Sequence, residues 1–124
     1  MFKFLNIAIF VIAMNQAQSH AADSGFKCPP KGTTDQITKS KQLYTNNCMS
    51  CHGAKGDGLG DSGKYMQPKP RNLVIDKFKN GASTDALFAT LTKGLAGTGM
   101  GGFPTLPNND RCLLVYYVQS LRRK

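Results

Sequence analysis

The pentapeptide Cys48-Met49-Ser50-Cys51-His52 constrains this chain more than any other feature of its sequence. Two thiols three positions apart, followed directly by an imidazole, are the attachment signature of a c-type haem. The thiols add across the vinyl groups of the porphyrin as thioethers, and the adjacent histidine presents a ring nitrogen to the iron. We therefore predict one covalently attached haem c, held by Cys48 and Cys51, with His52 as the proximal iron ligand.

Two other interpretations of this pentapeptide are weaker. A redox-active CxxC belongs beside a βαβ pattern, which the sequence lacks. A structural zinc site uses four Cys or His ligands, usually as two pairs, but Cys28 and Cys112 each stand alone in the sequence. His20 lies in a segment that we expect to be removed.

Residues 1–21 have the pattern of a secretory signal peptide. Lys3 supplies the positive start, residues 4–14 form an apolar stretch, and polar and small residues lead to a cleavage point after Ala21. The apolar stretch is too short for a mature membrane anchor, although an uncleaved N-terminal anchor remains an alternative. We expect cleavage, a single domain over residues 22–124 without stable membrane insertion, and a periplasmic or equivalent extracytoplasmic location.

The chain is strongly basic, with 16 Lys and Arg against 7 Asp and Glu and a formal net charge of +9. A basic exported protein can meet nucleic acid, an anionic membrane or an acidic protein surface. Export argues against nucleic acid, and no basic block is interleaved with aromatic residues. Scattered lysines often form only a solvated surface, but they also suit transient docking to acidic redox proteins. We expect such docking, by a monomer or weak oligomer.

Helices separated by glycine- and proline-rich loops are the only regular structure that the sequence predicts. The first helix begins near Thr34 and Asp35 and reaches Asn47, with Tyr44 packed inward on a partly apolar face that also holds Ile37. There is no strand signal of any length, no internal repeat and no second CxxCH. We predict a small all-α domain whose helices and loops wrap around one haem.

Two further helices are expected nearer the C-terminus. Ser83 or Thr84 can cap a middle helix, and Gly94 is a natural stop for it. The last helix begins around residues 108–110 and ends in a basic tail. The apolar positions of these two helices are Leu87, Phe88, Leu91, Leu114, Val118 and Leu121.

The segment between residues 53 and 72 is rich in Gly, Asp, Lys and Pro and has no regular period, so we expect a loop around the haem edge. Tyr65 and Met66 are apolar side chains of this segment, and we expect both to line the haem pocket. Arg71 has a guanidinium fork that suits a haem propionate, and a solvated surface position is an equal alternative.

Methionine is the favoured residue type for the second axial position of the iron. Once the signal is removed, His52 is the remaining histidine, and Met49 lies inside the attachment motif. Met100 stands in a glycine-rich loop, where glycines allow the close backbone approach that a thioether bound to iron requires. We predict Met100 as the distal ligand; Met66 in that role, or Met100 as ordinary core filling, are the alternatives.

Several segments resemble a class I monohaem cytochrome c of the bacterial type, over roughly residues 37–121. They are residues 44–52 (YTNNCMSCH), 68–73 (PKPRNL), 87–100 (LFATLTKGLAGTGM) and 114–121 (LVYYVQSL). The resemblance implies a helical fold in which the N- and C-terminal helices cross around the haem. It also implies ligation by His52 and Met100 and an electron-carrier function.

Cys28 and Cys112 remain after the haem motif is assigned. Two further cysteines in an exported protein most simply form a disulfide, and the crossing of the helices that the resemblance implies would let this pair meet. An intermolecular bridge, free buried thiols, or one cysteine as a haem ligand stay open as alternatives.

The expected function is that of a soluble electron carrier and not of an enzyme, because filling both axial positions leaves no site for a substrate. A haem c subunit of a larger oxidoreductase complex is the first alternative. A gas-binding or sensing haem protein, which needs a labile sixth ligand, is the second.

Overall fold

The computed structural model describes residues 25–31 and 33–122. In these residues the chain forms α1 (Thr34–Asn47), α2 (Met49–His52), a short 3₁₀ helix (Gly63–Tyr65), α3 (Thr84–Lys93) and α4 (Asn108–Leu121), and no β-strand. The all-α prediction is therefore confirmed. The signal peptide predicted for residues 1–21 lies outside the described residues, and no helix among those described has the length and apolarity to span a bilayer.

Helix α1 begins at Thr34, as predicted, and carries the buried side chain of Tyr44. Asp35 lies in its first turn, where its negative charge interacts favourably with the positive end of the helix dipole. Tyr44 is 1% exposed, its ring lies 4.7 Å from that of Tyr117, and its hydroxyl donates to the carbonyl of Gly53 at 2.8 Å. The inward position predicted for Tyr44 is confirmed.

Ile37, which shares the partly apolar face of α1 with Tyr44, is 64% exposed. The contacts of α1 with α4 are made by other residues: Lys39 pairs with Asp110, in the first turn of α4, and the ring of Tyr44 lies beside that of Tyr117. Helical periodicity alone does not show which residues of an apolar face meet the partner helix.

The boundaries of α3 follow its capping residues. The hydroxyl of Ser83 accepts a hydrogen bond from the amide of Ala86 at 3.2 Å, which satisfies one of the free donors at the helix start. Gly94 ends the helix with a φ of 74°, in the region that residues with a Cβ rarely adopt. Both ends were correctly predicted from the sequence.

The hydrophobic core forms where α1 and α3 pack on α4. Leu114 and Val115 are fully buried at the centre of α4, and Leu121 packs at its edge. The other buried members of the core are Tyr44, Cys48, Leu73, Leu87, Phe88, Leu91, Cys112 and Val118. Because Cys48 belongs to this core, the attachment motif is anchored directly on the packed interior.

A disulfide joins Cys28 to Cys112, as predicted, with the two Cα atoms 5.5 Å apart. It ties the segment before α1 to the first half of α4. Phe26 stacks on Phe88 with ring centroids 5.3 Å apart, and the hydroxyl of Tyr116 donates to the carbonyl of Pro29. The N-terminal segment therefore covers the α3–α4 side of the core.

Replacing both disulfide cysteines, as C28A/C112A, is expected to lower the free energy of unfolding by about 2–5 kcal/mol, because the unfolded chain regains the freedom that the crosslink removes. Urea titration of the haem-loaded protein, followed by circular dichroism, measures the change. Dithiothreitol should destabilise the wild type to a similar extent and leave the double variant unaffected. A double variant as stable as the oxidised wild type would contradict this expectation.

Candidate functional site

The haem-attachment motif lies on a single helical turn that the sequence analysis did not anticipate. After α1 ends, Cys48 precedes α2, and Gly53 ends α2 with a φ of 80°. Residues three and four apart on a helix share a side, so Cys48, Cys51 and His52 project together. All three line one cleft, and both cysteines are free thiols.

The loop after α2 packs its backbone directly against this turn. A Cβ on Gly60 would lie 2.3 Å from the carbonyl oxygen of Ser50, and one on Gly63 would lie 2.4 Å from that of Cys51. The amide of Gly60 donates to the Cys51 carbonyl at 3.1 Å, and the amide of Ser62 donates to the Ser50 carbonyl at 2.9 Å. These contacts hold the motif in place from behind.

The imidazole of His52 is oriented by the backbone. Its Nδ1 lies 3.0 Å from the carbonyl oxygen of Arg71. A carbonyl only accepts, so Nδ1 carries the proton, and the lone pair of Nε2 is free to bind a metal. Burial lowers the pKa of His52, and the hydrogen bond to Arg71 opposes that shift. The ring is therefore neutral at neutral pH, as iron ligation requires.

Cys48 is buried in the core, and this environment decides its protonation. Burial, with a smaller contribution from Cys51, raises its pKa to about 12. A protonated, buried thiol is a poor nucleophile. Among the residues that the structure describes, no group of three or more His, Cys and Asp side chains lies close enough to hold a metal ion, so the structure does not support the zinc interpretation of the motif.

The cleft beside the motif has a volume of about 420 Å³, within the ~300–1,000 Å³ typical of cofactor sites. The motif forms one wall, and the segment from Met66 to Arg71 forms another. The loop that carries Met100 forms the wall that completes the cleft. Its lining residues include Cys48, Cys51, His52, Met66, Pro68, Pro70, Arg71, Leu95, Met100 and Phe103.

A smaller apolar cavity of about 70 Å³ adjoins the cleft on the side of the core. Its walls include Leu87 and Leu91 of α3 and Val115 and Val118 of α4. Five residues line both spaces, namely Cys48, His52, Arg71, Leu95 and Met100. The site therefore extends from a solvent-facing mouth into the packed interior.

Met100 is half-buried, and its loop is held by local hydrogen bonds. The amide of Met100 donates to the hydroxyl oxygen of Thr98 at 3.1 Å. The carbonyl of Met100 accepts from the amide of Leu95 at 3.0 Å. Together these bonds close a turn that presents the Met100 side chain to the cleft.

The same loop is hydrogen-bonded to, and packed against, the end of α3. The amide of Phe103 donates to the carbonyl of Leu91 at 2.7 Å. Gly102 packs so closely that a Cβ there would lie 2.3 Å from the carbonyl oxygen of Thr92. The position of Met100 therefore depends on the position of the last turn of α3.

Tyr65 and Met66, which were both predicted to line the haem pocket, lie in different surroundings. Met66 lines the cleft, and its methyl group occupies the space beside Gly99, where a Cβ would lie 2.1 Å away. Tyr65 is 83% exposed and does not line the cleft, so its prediction as pocket lining is wrong. Gly63 takes the inward position of the 3₁₀ helix Gly63–Tyr65, and Tyr65 is left at the surface.

Arg71 contributes to the site through its backbone as well as its side chain. Its carbonyl orients His52, a role that no sequence signal indicated. Its exposed guanidinium lines the cleft and donates to the carbonyl of Lys77. A propionate contact for this guanidinium remains a prediction.

The residues present fit the haem that the motif predicts. Two free thiols, an imidazole with a free Nε2 lone pair and a thioether line one cleft of sufficient volume. The deeper walls are apolar, as a porphyrin face requires.

Comparison with known proteins agrees with this arrangement. The family model described as Cytochrome c matches residues 37–122. Thiosulfate dehydrogenase of Psychrobacter arcticus is 34% identical over 83 residues, a match that covers 64% of this chain and 24% of that protein.

A similar fold occurs in a chain of the Kuenenia stuttgartiensis reducing HAO-like protein complex. The TM-score is 0.69 at 24% identity, and the match covers 78% of this chain and 46% of that chain. At this identity the likeness shows the fold alone. The present chain spans less than half the length of either similar protein.

Gly102→Ala is expected to destabilise the folded protein by roughly 1–3 kcal/mol, because its Cβ would overlap rigid backbone at the end of α3. The matched control is Gly101→Ala, whose Cβ would meet no atom within 4 Å and should change stability by less than about 0.5 kcal/mol. Urea unfolding of the haem-loaded variants measures both. Equal losses at the two positions would contradict the close packing.

Proposed function

This chain belongs to the cytochrome c family, whose members hold haem c covalently and transfer electrons, and on that premise we propose that it is an exported carrier of single electrons between redox proteins. The proposal is supported above all by one cleft that both free thiols, the imidazole of His52 and the thioether of Met100 line together. It assigns one haem to the chain.

Each of these residues has a distinct role in the proposal. Cys48 and Cys51 would hold the haem, and His52 would bind the iron through Nε2 because Nδ1 is occupied by the Arg71 carbonyl. Met100 would supply the second protein ligand of the iron. When bound, the haem supplies an iron that passes between the ferric and ferrous states.

The surroundings of the site favour a comparatively high reduction potential. Methionine ligation raises the potential relative to two histidines. The walls of the inner cavity include Leu73, Leu91 and Val115, which are buried and apolar. An apolar environment disfavours the additional charge of ferric iron, so it shifts the potential in the same direction.

Met100→Ala is expected to abolish the methionine–iron charge-transfer band near the red end of the ferric spectrum and to lower the reduction potential. Met66→Ala is the matched control, because Met66 also lines the cleft but is not assigned to the iron. Its ferric spectrum should keep the band. Absorption spectra and a redox titration of both variants measure the effects.

Two outcomes would overturn the assignment of Met100. A band that survives in Met100→Ala and disappears in Met66→Ala would transfer the axial role to Met66. A wild-type ferric spectrum without the band would exclude methionine ligation altogether.

The carrier is proposed to dock transiently with acidic redox partners in the periplasm or an equivalent compartment. Lys69 lines the cleft and Lys79 the adjoining cavity, and both are exposed. Positive charge at the mouth of the site steers an acidic partner towards it, and salt screens that attraction.

A haem subunit of a larger oxidoreductase is the second candidate function. It is favoured by the greater length of the two similar proteins, one of which is a thiosulfate dehydrogenase and the other a chain of a complex. Size-exclusion chromatography of native extract, monitored by haem absorbance, separates the two functions. A carrier elutes at the size of the single chain, and its partner complexes dissociate with salt. A subunit elutes with its enzyme at every salt concentration.

A further inference from the structure

Arg111 is a charged side chain in the hydrophobic interior. It is 3% exposed and lies in the first turn of α4. Arginine is seldom buried to this extent without partners, and a cation near the start of its own helix is electrostatically unfavourable. The neighbouring helix accounts for its position.

The guanidinium of Arg111 is directed to the last turn of α3. Its Nη1 donates to the hydroxyl of Thr92 at 2.9 Å, and its Cζ lies 4.9 Å from the ring centroid of Phe88. Its Nη2 donates to the side-chain oxygen of Asn108 in α4. A cation at the end of α3 meets the negative end of that helix dipole, where it is favourable.

Thr92 connects this guanidinium to the loop that carries Met100. Its hydroxyl donates to the carbonyl of Phe88 at 2.8 Å while it accepts from Arg111, so both of its hydrogen-bonding capacities are used. Its carbonyl oxygen is the atom against which Gly102 packs. A shift of Thr92 would therefore shift the backbone two residues after Met100.

An arginine suits this position for geometric reasons. Its planar fork reaches Thr92 and Asn108 with separate nitrogens while its face lies over Phe88. A lysine ammonium is a single point of charge and cannot satisfy all three contacts at once.

We propose that Arg111 is a positioning residue for Met100: it binds the last turn of α3 to α4 and thereby holds the loop of residues 95–103 closed. The inference rests on the proposed ligation of iron by Met100. Without the contacts of Arg111, the loop would open more often, and the thioether would leave the iron more often.

The experiment measures loop opening in the haem-loaded ferric protein with imidazole as the probe. Imidazole binds iron only after Met100 leaves, so its apparent affinity rises with the open fraction. Imidazole is added stepwise, and the loss of the methionine–iron charge-transfer band measures how much of it has bound. Amide hydrogen exchange of residues 95–103 measures loop opening independently.

Thr92→Val is the principal variant, because it removes the acceptor for Arg111 and keeps the shape of the side chain. We expect imidazole to bind roughly tenfold more tightly and the amides of residues 95–103 to exchange roughly tenfold faster. Both changes correspond to the loss of one hydrogen bond to a charged group, which stabilises the closed loop. Thr92→Ser keeps the hydroxyl and should behave as the wild type. Arg111→Lys should resemble Thr92→Val.

Arg122→Lys is the matched control for Arg111→Lys. Arg122 lies just after α4, donates to the carbonyls of Leu73 and Asp76 and covers the ring of Phe78. Its replacement makes the same change of side chain without touching α3, so exchange in residues 95–103 should not change.

Unchanged imidazole affinity in Thr92→Val, with the band present in the wild type, would overturn the role of Arg111 alone. Equal acceleration of exchange throughout the core would also overturn it, since the residue would then be merely structural. A wild-type protein without the band would overturn the ligation by Met100, and this proposal with it.

Discussion

The one-turn helix that carries the attachment motif is the constraint on which the rest of the site depends. A spacing of three and four residues puts two thiols and an imidazole on one side of a helix, provided that the turn stays helical. The turn is held from behind by the backbone of Gly60 and Gly63, and Tyr44 binds the carbonyl of Gly53 beneath it. The tight loop, the buried tyrosine and the core around Cys48 are therefore parts of one support.

The two sides of the cleft are built by different physical means. The side of His52 is set mainly by backbone contacts between neighbouring segments, with the Arg71 carbonyl as the orienting group. The side of Met100 is set by a glycine-rich turn fastened to the end of α3, which Arg111 in turn links to α4. The two sides of the cleft are therefore supported independently, and motion of the loop that carries Met100 would leave the backbone contacts around His52 in place.

Local patterns in the sequence were reliable where the responsible interaction is itself local. Ser83 and Gly94 marked the ends of α3 because a cap bonds within one turn and a positive φ needs only the glycine itself. Tyr65 was wrongly predicted to line the pocket, because the burial of a side chain depends on what lies opposite it in the fold. In the 3₁₀ helix it is Gly63 that packs against the attachment motif, and Tyr65 is left at the surface.

The sequence by itself indicated the family, because the CxxCH spacing is a property of five consecutive positions. It also indicated the all-α class, because helix starts, stops and apolar spacing are recorded within each segment. The sequence predicted the pairing of Cys28 with Cys112 but left alternatives open, and the tertiary structure decided between them. The carbonyl that orients His52 and the burial of Arg111 were decided only by the tertiary structure. Each joins residues far apart in the chain, and such contacts depend on how helices and loops pack. No spacing within a single segment records them.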